Sequence, residues 1–85
     1  MRILLFGAAW CKPCKEFKPI VEKVCSEKEL PLKFVDVDED TEATSSRNVK
    51  GVPTLIILDN ADSEIFRVAV KIPEAKLRQA LESLQ

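Results

Sequence analysis

Two of the three cysteines in this 85-residue chain lie three positions apart, in the segment Trp10-Cys11-Lys12-Pro13-Cys14. Residues at that spacing on a helix are one turn apart, with a rise of ~1.5 Å per residue, so their Cα atoms fall within the ~4.4–6.8 Å that a disulfide requires. The pair can therefore form and open a disulfide with little backbone movement. Thiol–disulfide exchange is the first chemical hypothesis for this chain.

The position of Cys11 favours its thiolate form. A buried strand predicted over residues 2–6 leads into a helix predicted from about Cys11, so unpaired backbone N–H groups and the positive end of the helix dipole face its sulfur. Lys12 adds a neighbouring positive charge and Pro13 stiffens the turn, and such settings lower the pKa of a cysteine. We therefore assign Cys11 as the attacking nucleophile. Cys14, shielded one turn further into the helix, is assigned as the thiol that resolves the mixed disulfide.

A Cys-x-x-Cys pair also occurs in zinc sites. Structural zinc takes four ligands, and this chain has no histidine and one further cysteine, Cys25, so a zinc site would need a dimer. Cys25 falls on the apolar stripe of the predicted helix, where a free cysteine usually packs in the core. A purely structural pair at residues 11 and 14 is disfavoured, because the motif begins a helix directly after a buried strand. We predict no metal site and no cofactor.

The bulk properties exclude several classes of protein. Thirteen basic against fourteen acidic residues give a net charge of -1, which offers no nucleic-acid footprint, and no apolar segment approaches the ~20 residues of a membrane-spanning helix. Residues 1–9 resemble a secretion signal only faintly, and we interpret them as a strand because the apolar part is short. Three cysteines do not make the disulfide framework of a secreted domain. We expect a single domain over residues 1–85, monomeric and cytoplasmic.

Apolar periodicity predicts seven secondary-structure elements. Continuous apolar runs are typical of strands buried on both faces, and apolar residues at three- and four-residue steps are typical of the helices that cover them. A parallel βαβ unit followed by a ββα unit gives a four-stranded mixed sheet flanked by three helices, an α/β fold. The order is βαβαββα, with strands over 2–6, 32–38, 54–58 and 63–70 and helices over 11–27, 41–47 and 73–84.

The segments Trp10-Cys11-Lys12-Pro13-Cys14-Lys15 and Gly51-Val52-Pro53-Thr54 together resemble the thioredoxin family, and the order of elements fits the minimal thioredoxin fold across nearly the whole chain. The resemblance implies an oxidoreductase that reduces protein disulfides and is itself reduced by a thioredoxin reductase. It also implies that Pro53 is a cis-proline in a loop facing the cysteines. In the predicted substrate-binding set, the Val52 backbone pairs with an extended substrate, Trp10 covers the nucleophile, and Pro53 and Thr54 complete the site.

This chain departs from the family pattern in ways that leave alternatives open. Thioredoxins usually place a buried Asp on the strand before the motif, where this chain has Leu5, so the proton acceptor for Cys14 is unassigned. Lys12 replaces the usual Gly. The chain is close to glutaredoxins in size, yet residues 59–63 lack the Gly pair with which glutathione-dependent glutaredoxins hold glutathione. A glutaredoxin using glutathione as reductant, and a binding module with incidental cysteines, are the two alternatives.

Overall fold

The apolar runs of the sequence form strands, and its amphipathic segments form helices that cover them. A computed structural model describes residues 1–84, so Gln85, the last residue of the predicted domain, lies outside the described part. The predicted α/β class and element order are confirmed. In chain order the elements are β1 (Arg2–Gly7), α1 (Lys12–Glu27), β2 (Leu32–Asp36), α2 (Thr41–Ser46), β3 (Thr54–Leu58), β4 (Glu64–Val68) and α3 (Glu74–Leu84).

The four strands form one mixed sheet in the order β2-β1-β3-β4. β1 is parallel to β2 and antiparallel to β3, and β3 pairs with β4 as the predicted antiparallel hairpin. Since β1 is central and both its neighbours lie beside it for most of its length, its carboxyl end is held firmly. The short loop that follows leads to Cys11, the residue before α1, so the sheet fixes where α1 begins.

The core has one layer on each face of the sheet. On one face, Ile3 and Leu5 of β1 pack with Phe17 and Val21 of α1 and with Leu77 of α3. On the opposite face, Leu4 and Phe6 pack against Val35, Val49 and Ile56. This alternation follows from the period of two along a strand. Within residues 1–84, no helix has the length and apolar character to cross a membrane.

The second strand ends earlier than predicted, at Asp36 instead of residue 38. The cause is local, because Asp36 Oδ1 accepts hydrogen bonds from the backbone N–H groups of Asp38 at 2.9 Å and Glu39 at 3.3 Å. A side chain that accepts hydrogen bonds from the backbone N–H groups two and three positions further on turns the chain out of the sheet. Asp40 then caps α2, accepting from the Ala43 N–H at 3.0 Å.

Several other boundaries differ from the prediction by one or two residues. β4 covers residues 64–68 instead of 63–70, and α2 ends at Ser46 with Arg47 as its C-cap. Pro73 was predicted in the first turn of the last helix, but that helix begins at Glu74. The Pro73 carbonyl accepts from the N–H groups of Lys76 at 3.0 Å and Leu77 at 3.1 Å, which places Pro73 just before the helix.

Candidate active site

Cys11 and Cys14 meet at the start of α1, where Cys11 is the N-cap residue with extended backbone (φ -89°, ψ 108°). Their Sγ atoms are joined in a disulfide and their Cα atoms are 5.2 Å apart, as the spacing predicted. The Cys14 backbone N–H also points at the Cys11 sulfur, with N and Sγ 3.2 Å apart. A backbone donor at a helix N-terminus favours negative charge on the atom that accepts from it. The Cys11 sulfur thus lies where an anion is stabilised.

Both cysteines are buried in the disulfide form. Cys11 is 4% exposed and Cys14 is 3% exposed, and both pack with Ala8 in a small apolar cluster bordered by Val37 and Val52. Cys14 is shielded, and the disulfide holds the Cys11 sulfur against the same apolar cluster. The two cysteines differ in position instead of burial, because Cys11 is the cap residue and Cys14 lies inside the first turn of α1.

Lys12 and Pro13 occupy the first turn of α1, and both are exposed. Pro13 fits this turn because its missing N–H would have no partner inside the helix. The Lys12 ammonium is adjacent in sequence to Cys11 but is surrounded by solvent. Solvent therefore screens its charge from the cysteine.

The loop before β3 faces the cysteines, as the resemblance implies. The Val52–Pro53 peptide bond is cis, in agreement with the expectation for Pro53. Thr54 is 2% exposed and its hydroxyl donates to the Gly51 carbonyl at 2.7 Å. Its side chain therefore helps to hold this loop, and its part in substrate binding stays a prediction.

An apolar groove of about 280 Å³ runs between Trp10 and this loop. Trp10 is 69% exposed, and its indole Nε1 donates to Asp38 Oδ2 at 2.7 Å. That hydrogen bond fixes the ring as one wall of the groove. Sequence reasoning missed most of the other wall, although parallel β1 and β2 end at the same edge of the sheet and their following loops had to meet there. The missed lining residues are Val37, Thr44, Val49 and Lys50.

The loop between α2 and β3, which forms that wall, is tied to the far side of the sheet. Arg67 on β4 donates through Nη2 to the Arg47 carbonyl at 2.6 Å, and through Nη1 to the Asn48 carbonyl at 3.4 Å. Glu64 orients the same guanidinium with two hydrogen bonds of 2.8 and 2.9 Å, and this bonding lowers the pKa of the Glu64 carboxyl. Asn48 follows α2 in the left-handed region at φ 57°, a conformation that commonly ends a helix.

Cys25 lies apart from the pair, on the buried side of α1. It is 2% exposed, packs in the main core cluster and is not disulfide-bonded. Burial in apolar surroundings raises the pKa of its thiol from 9.0 to about 11. Cys25 therefore stays protonated at neutral pH, which agrees with the core position predicted for it.

Comparison with known proteins identifies the family. The family model described as Thioredoxin matches residues 1–83. A thioredoxin of Bacillus subtilis is 37% identical over 81 residues, covering 93% of this chain and 73% of the relative. Thioredoxin 1 of Nostoc sp. PCC 7120 is 32% identical, covering 91% and 73% respectively. The solved structure of thioredoxin 1 from Thermosipho africanus superimposes with a TM-score of 0.91 at 27% identity, covering 99% of this chain and 93% of that one.

These matches do not favour the glutaredoxin alternative, since the curated relatives and solved structures above are thioredoxins. They agree with the structure, which has a Cys-x-x-Cys pair at disulfide distance at the start of a helix. Thioredoxins act on disulfides of proteins and receive electrons from reductase partners, so this chain has partners of those two general kinds. The chain belongs to the thioredoxin family, and Cys11 and Cys14 form the redox pair of a protein-disulfide oxidoreductase.

Proposed function

We propose that this protein works as a reductant, with Cys11 as the attacking thiolate and Cys14 as the resolving thiol. The Cys11 thiolate attacks one sulfur of a substrate disulfide, forming a mixed disulfide and releasing the other substrate sulfur as a thiolate. The Cys14 sulfur then attacks Cys11 Sγ, and the Cys11–substrate bond breaks with its electron pair on the substrate sulfur. The substrate is reduced to a dithiol and the pair is oxidised to a disulfide, which a thioredoxin reductase reopens.

The observation that carries this assignment is the hydrogen bond from the Cys14 N–H to the Cys11 sulfur at the helix cap. The donor is backbone, so it is present in any state in which α1 is folded. Cys14 has no comparable position, because it lies inside the first turn of α1. Of the two sulfurs, Cys11 is therefore the better stabilised thiolate and the one that attacks the substrate disulfide.

The substrate segment is proposed to lie along the groove, with its disulfide over Cys11. Trp10 and Val52 supply apolar walls, and the cis-proline Pro53 holds the Val52 backbone where an extended peptide can pair with it. Thr54 supports this site indirectly, because its hydroxyl holds the loop by donating to the Gly51 carbonyl. An apolar groove with a few polar groups suits a partially unfolded or exposed segment of a protein better than a small charged thiol.

The proposed first step predicts a trapped intermediate in the variant Cys14→Ser. With the resolving sulfur gone, the mixed disulfide between Cys11 and the substrate should accumulate, because nothing inside the protein can break it. Mass spectrometry after incubation with a disulfide-containing protein should detect a stable 1:1 adduct at residue 11. The matched variant Cys11→Ser should give no adduct, and an adduct carried by Cys14 instead would reverse the proposed roles.

Lys12 and Pro13 are proposed to tune the pair, Lys12 by its charge and Pro13 by stiffening the turn. For Lys12→Gln we expect a higher Cys11 pKa and a less oxidising couple, because a cation that stabilises the thiolate also stabilises the reduced form. The change should be modest and should shrink in high salt, since Lys12 is exposed. The rate of Cys11 alkylation against pH measures it, with Lys12→Arg as the charge-conserving control. An identical pH profile in Lys12→Gln would show that the charge has no effect.

We also propose that the protein works as a monomer in the cytoplasm. Support for the compartment comes from the cysteines themselves, because Cys25 is a free thiol and the pair needs a reductant to return to the dithiol. Support for the monomer comes from the groove, which one copy builds from its own residues. Sedimentation of the reduced protein and fractionation of cells that produce it would test the two statements separately.

A further inference from the structure

A second cleft lies beside Cys14, and the proposed mechanism gives it no role. It has a volume of about 210 Å³ and opens between α1 and the carboxyl ends of β1 and β2. Its lining includes Cys14, Lys15, Lys18, Phe34 and Asp36. Within residues 1–84, Asp36 is the one carboxylate that lines it. The volume is enough for several water molecules, each of which takes about 30 Å³ in the liquid.

The resolving step requires a proton acceptor near this cleft. Cys14 attacks as a thiolate, so its thiol must first lose a proton. Leu5 on β1 cannot accept that proton, since it is an alkyl side chain, 1% exposed and surrounded by the apolar core. The acceptor must therefore lie on another element that borders the cleft.

The strand register places Asp36 on the same side of the sheet as Cys14. Val35 packs with Leu4 in the cluster on the opposite face, so its neighbour Asp36 is directed towards α1. Asp36 pairs with Gly7 across the parallel ladder. A Cβ atom on Gly7 would lie 3.1 Å from the Phe34 ring and 3.3 Å from the Cys14 Cβ, which shows that this face of Gly7 adjoins both side chains. Glycine at position 7 thus leaves room for the Phe34 ring beside Cys14, and these two side chains border the same cleft as Asp36.

The Asp36 carboxylate has one oxygen available for a further hydrogen bond. In the described part of the chain, its turn bonds to Asp38 and Glu39 are both accepted by Oδ1, leaving Oδ2 without a protein donor. The other ionisable groups facing the cleft are Lys15 and Lys18, both on α1. The Lys18 Nζ lies 4.4 Å from the centre of the Phe34 ring, which keeps this cation at the cleft mouth.

We propose that Asp36 accepts the proton of the Cys14 thiol, through water in this cleft, as Cys14 attacks the mixed disulfide. The Cys14 S–H bond breaks and its proton passes to the carboxylate. The Cys14–Cys11 bond forms, and the Cys11–substrate bond breaks with its electron pair leaving on the substrate sulfur. Asp36 then returns the proton to solvent. This assignment rests on the proposed roles of Cys11 and Cys14 and adds the acceptor that Leu5 cannot provide.

The test separates the two steps by stopped-flow absorbance. Reduced protein is mixed with an aromatic disulfide that releases a coloured thiolate once when Cys11 attacks and again when Cys14 resolves. In Asp36→Asn, whose amide oxygen can still accept the turn bonds, we expect the second phase to slow by about 100-fold near neutral pH, at the lower end of the scale of general acid–base catalysis. The first phase should be unchanged. The deficit should narrow as pH rises towards the ordinary thiol pKa of about 8.5, where the thiolate forms unaided.

Two variants complete the design. Asp36→Glu keeps a carboxylate at the cleft and should restore much of the second phase, whereas Glu39→Gln removes a neighbouring exposed carboxylate outside the cleft and should leave both phases at the wild-type rate. An unchanged second phase in Asp36→Asn would overturn the proposal, as would an equal loss in both phases, which indicates a structural role. A missing first phase in the wild type would overturn the role of Cys11 instead.

A measurement on the wild type covers the case in which Asp36→Asn does not fold. The carboxyl carbon of Asp36, followed by NMR across a pH titration, should respond to ionisation of Cys14 in the dithiol form and lose that response in the disulfide form. Asp59, whose carboxylate caps the turn between β3 and β4 on another part of the molecule, provides the internal control. An Asp36 titration identical in the two redox forms would contradict the proposal.

Discussion

Replacing Cys11 with serine is expected to abolish disulfide reduction, with a loss of more than about 10³-fold in the rate of insulin reduction. A serine hydroxyl stays protonated at neutral pH and does not displace sulfur from sulfur, so the first bond cannot form. The fold should survive because the serine oxygen can still accept the Cys14 N–H at the cap, where Cys11 Sγ accepts it now. Circular dichroism and turbidity measured on the same preparation would establish both points.

The matched control is the same sulfur-to-oxygen change at Cys25. This thiol is 2% exposed and burial raises its pKa to about 11, so it cannot contribute a thiolate at neutral pH. Cys25→Ser should therefore keep disulfide reduction within about twofold of the wild type, with some loss of stability from a buried hydroxyl, roughly 1–3 kcal/mol if it is unpaired. Undiminished activity in Cys11→Ser would refute the nucleophile assignment and favour a binding module with incidental cysteines.

Introducing a carboxylate at position 5 is expected to cost the largest amount of stability of any change considered. Leu5 is 1% exposed and its neighbours in the core cluster are apolar, so Leu5→Asp would bury a charge with no partner. The expected loss at neutral pH is about 3–5 kcal/mol, the scale measured for an uncompensated buried charge. Urea unfolding gives the value directly, and a loss of this size is a large part of the ~5–15 kcal/mol typical of a whole domain.

The pH dependence of the unfolding free energy distinguishes the cost of the buried charge from the cost of the changed side-chain shape. Leu5→Asn is the control, because it has a similar shape and no charge. Burial raises the folded-state pKa of the introduced carboxyl above its unfolded value of about 3.9. At pH values between these two pKa values, the folded protein therefore binds more protons than the unfolded protein. Stability relative to Leu5→Asn should therefore fall as pH rises from the unfolded pKa to the folded one, then stay constant above it. A pH-independent difference would mean that the carboxyl reaches solvent or a cation after all.

The fold followed from sequence because its signals are local. The run Ile3–Phe6 is apolar on both faces and became the central strand, and the stripe through Phe17 and Val21 became the buried side of α1. The cysteine pair followed equally from helix spacing and cap position. Each of these inferences needs only neighbours within one or two turns, for which periodicity is sufficient.

The rest of the site could not be predicted in this way, because it depends on loops brought together by the sheet. Val37 and Asp38 were predicted as the end of a strand. Alternation of apolar residues does not show that the Asp36 carboxylate accepts a hydrogen bond from the backbone N–H of Asp38 and so ends the strand. Lys50 and Thr44 reach the groove through the position of α2, which no local pattern fixes. The cleft beside Cys14 depends on Gly7 lying opposite Asp36, a matter of register between two distant segments.

The guanidinium of Arg67 makes one wall of the groove rigid. It joins the edge strand β4 to the two carbonyls that follow α2, so the wall opposite Trp10 is braced from the rear of the sheet instead of by the loop alone. A braced wall loses little conformational entropy when a peptide settles against it, which leaves more of the contact energy for affinity. The recognition surface is in this sense shaped before any substrate arrives, and its shape is set by a residue that no substrate needs to touch.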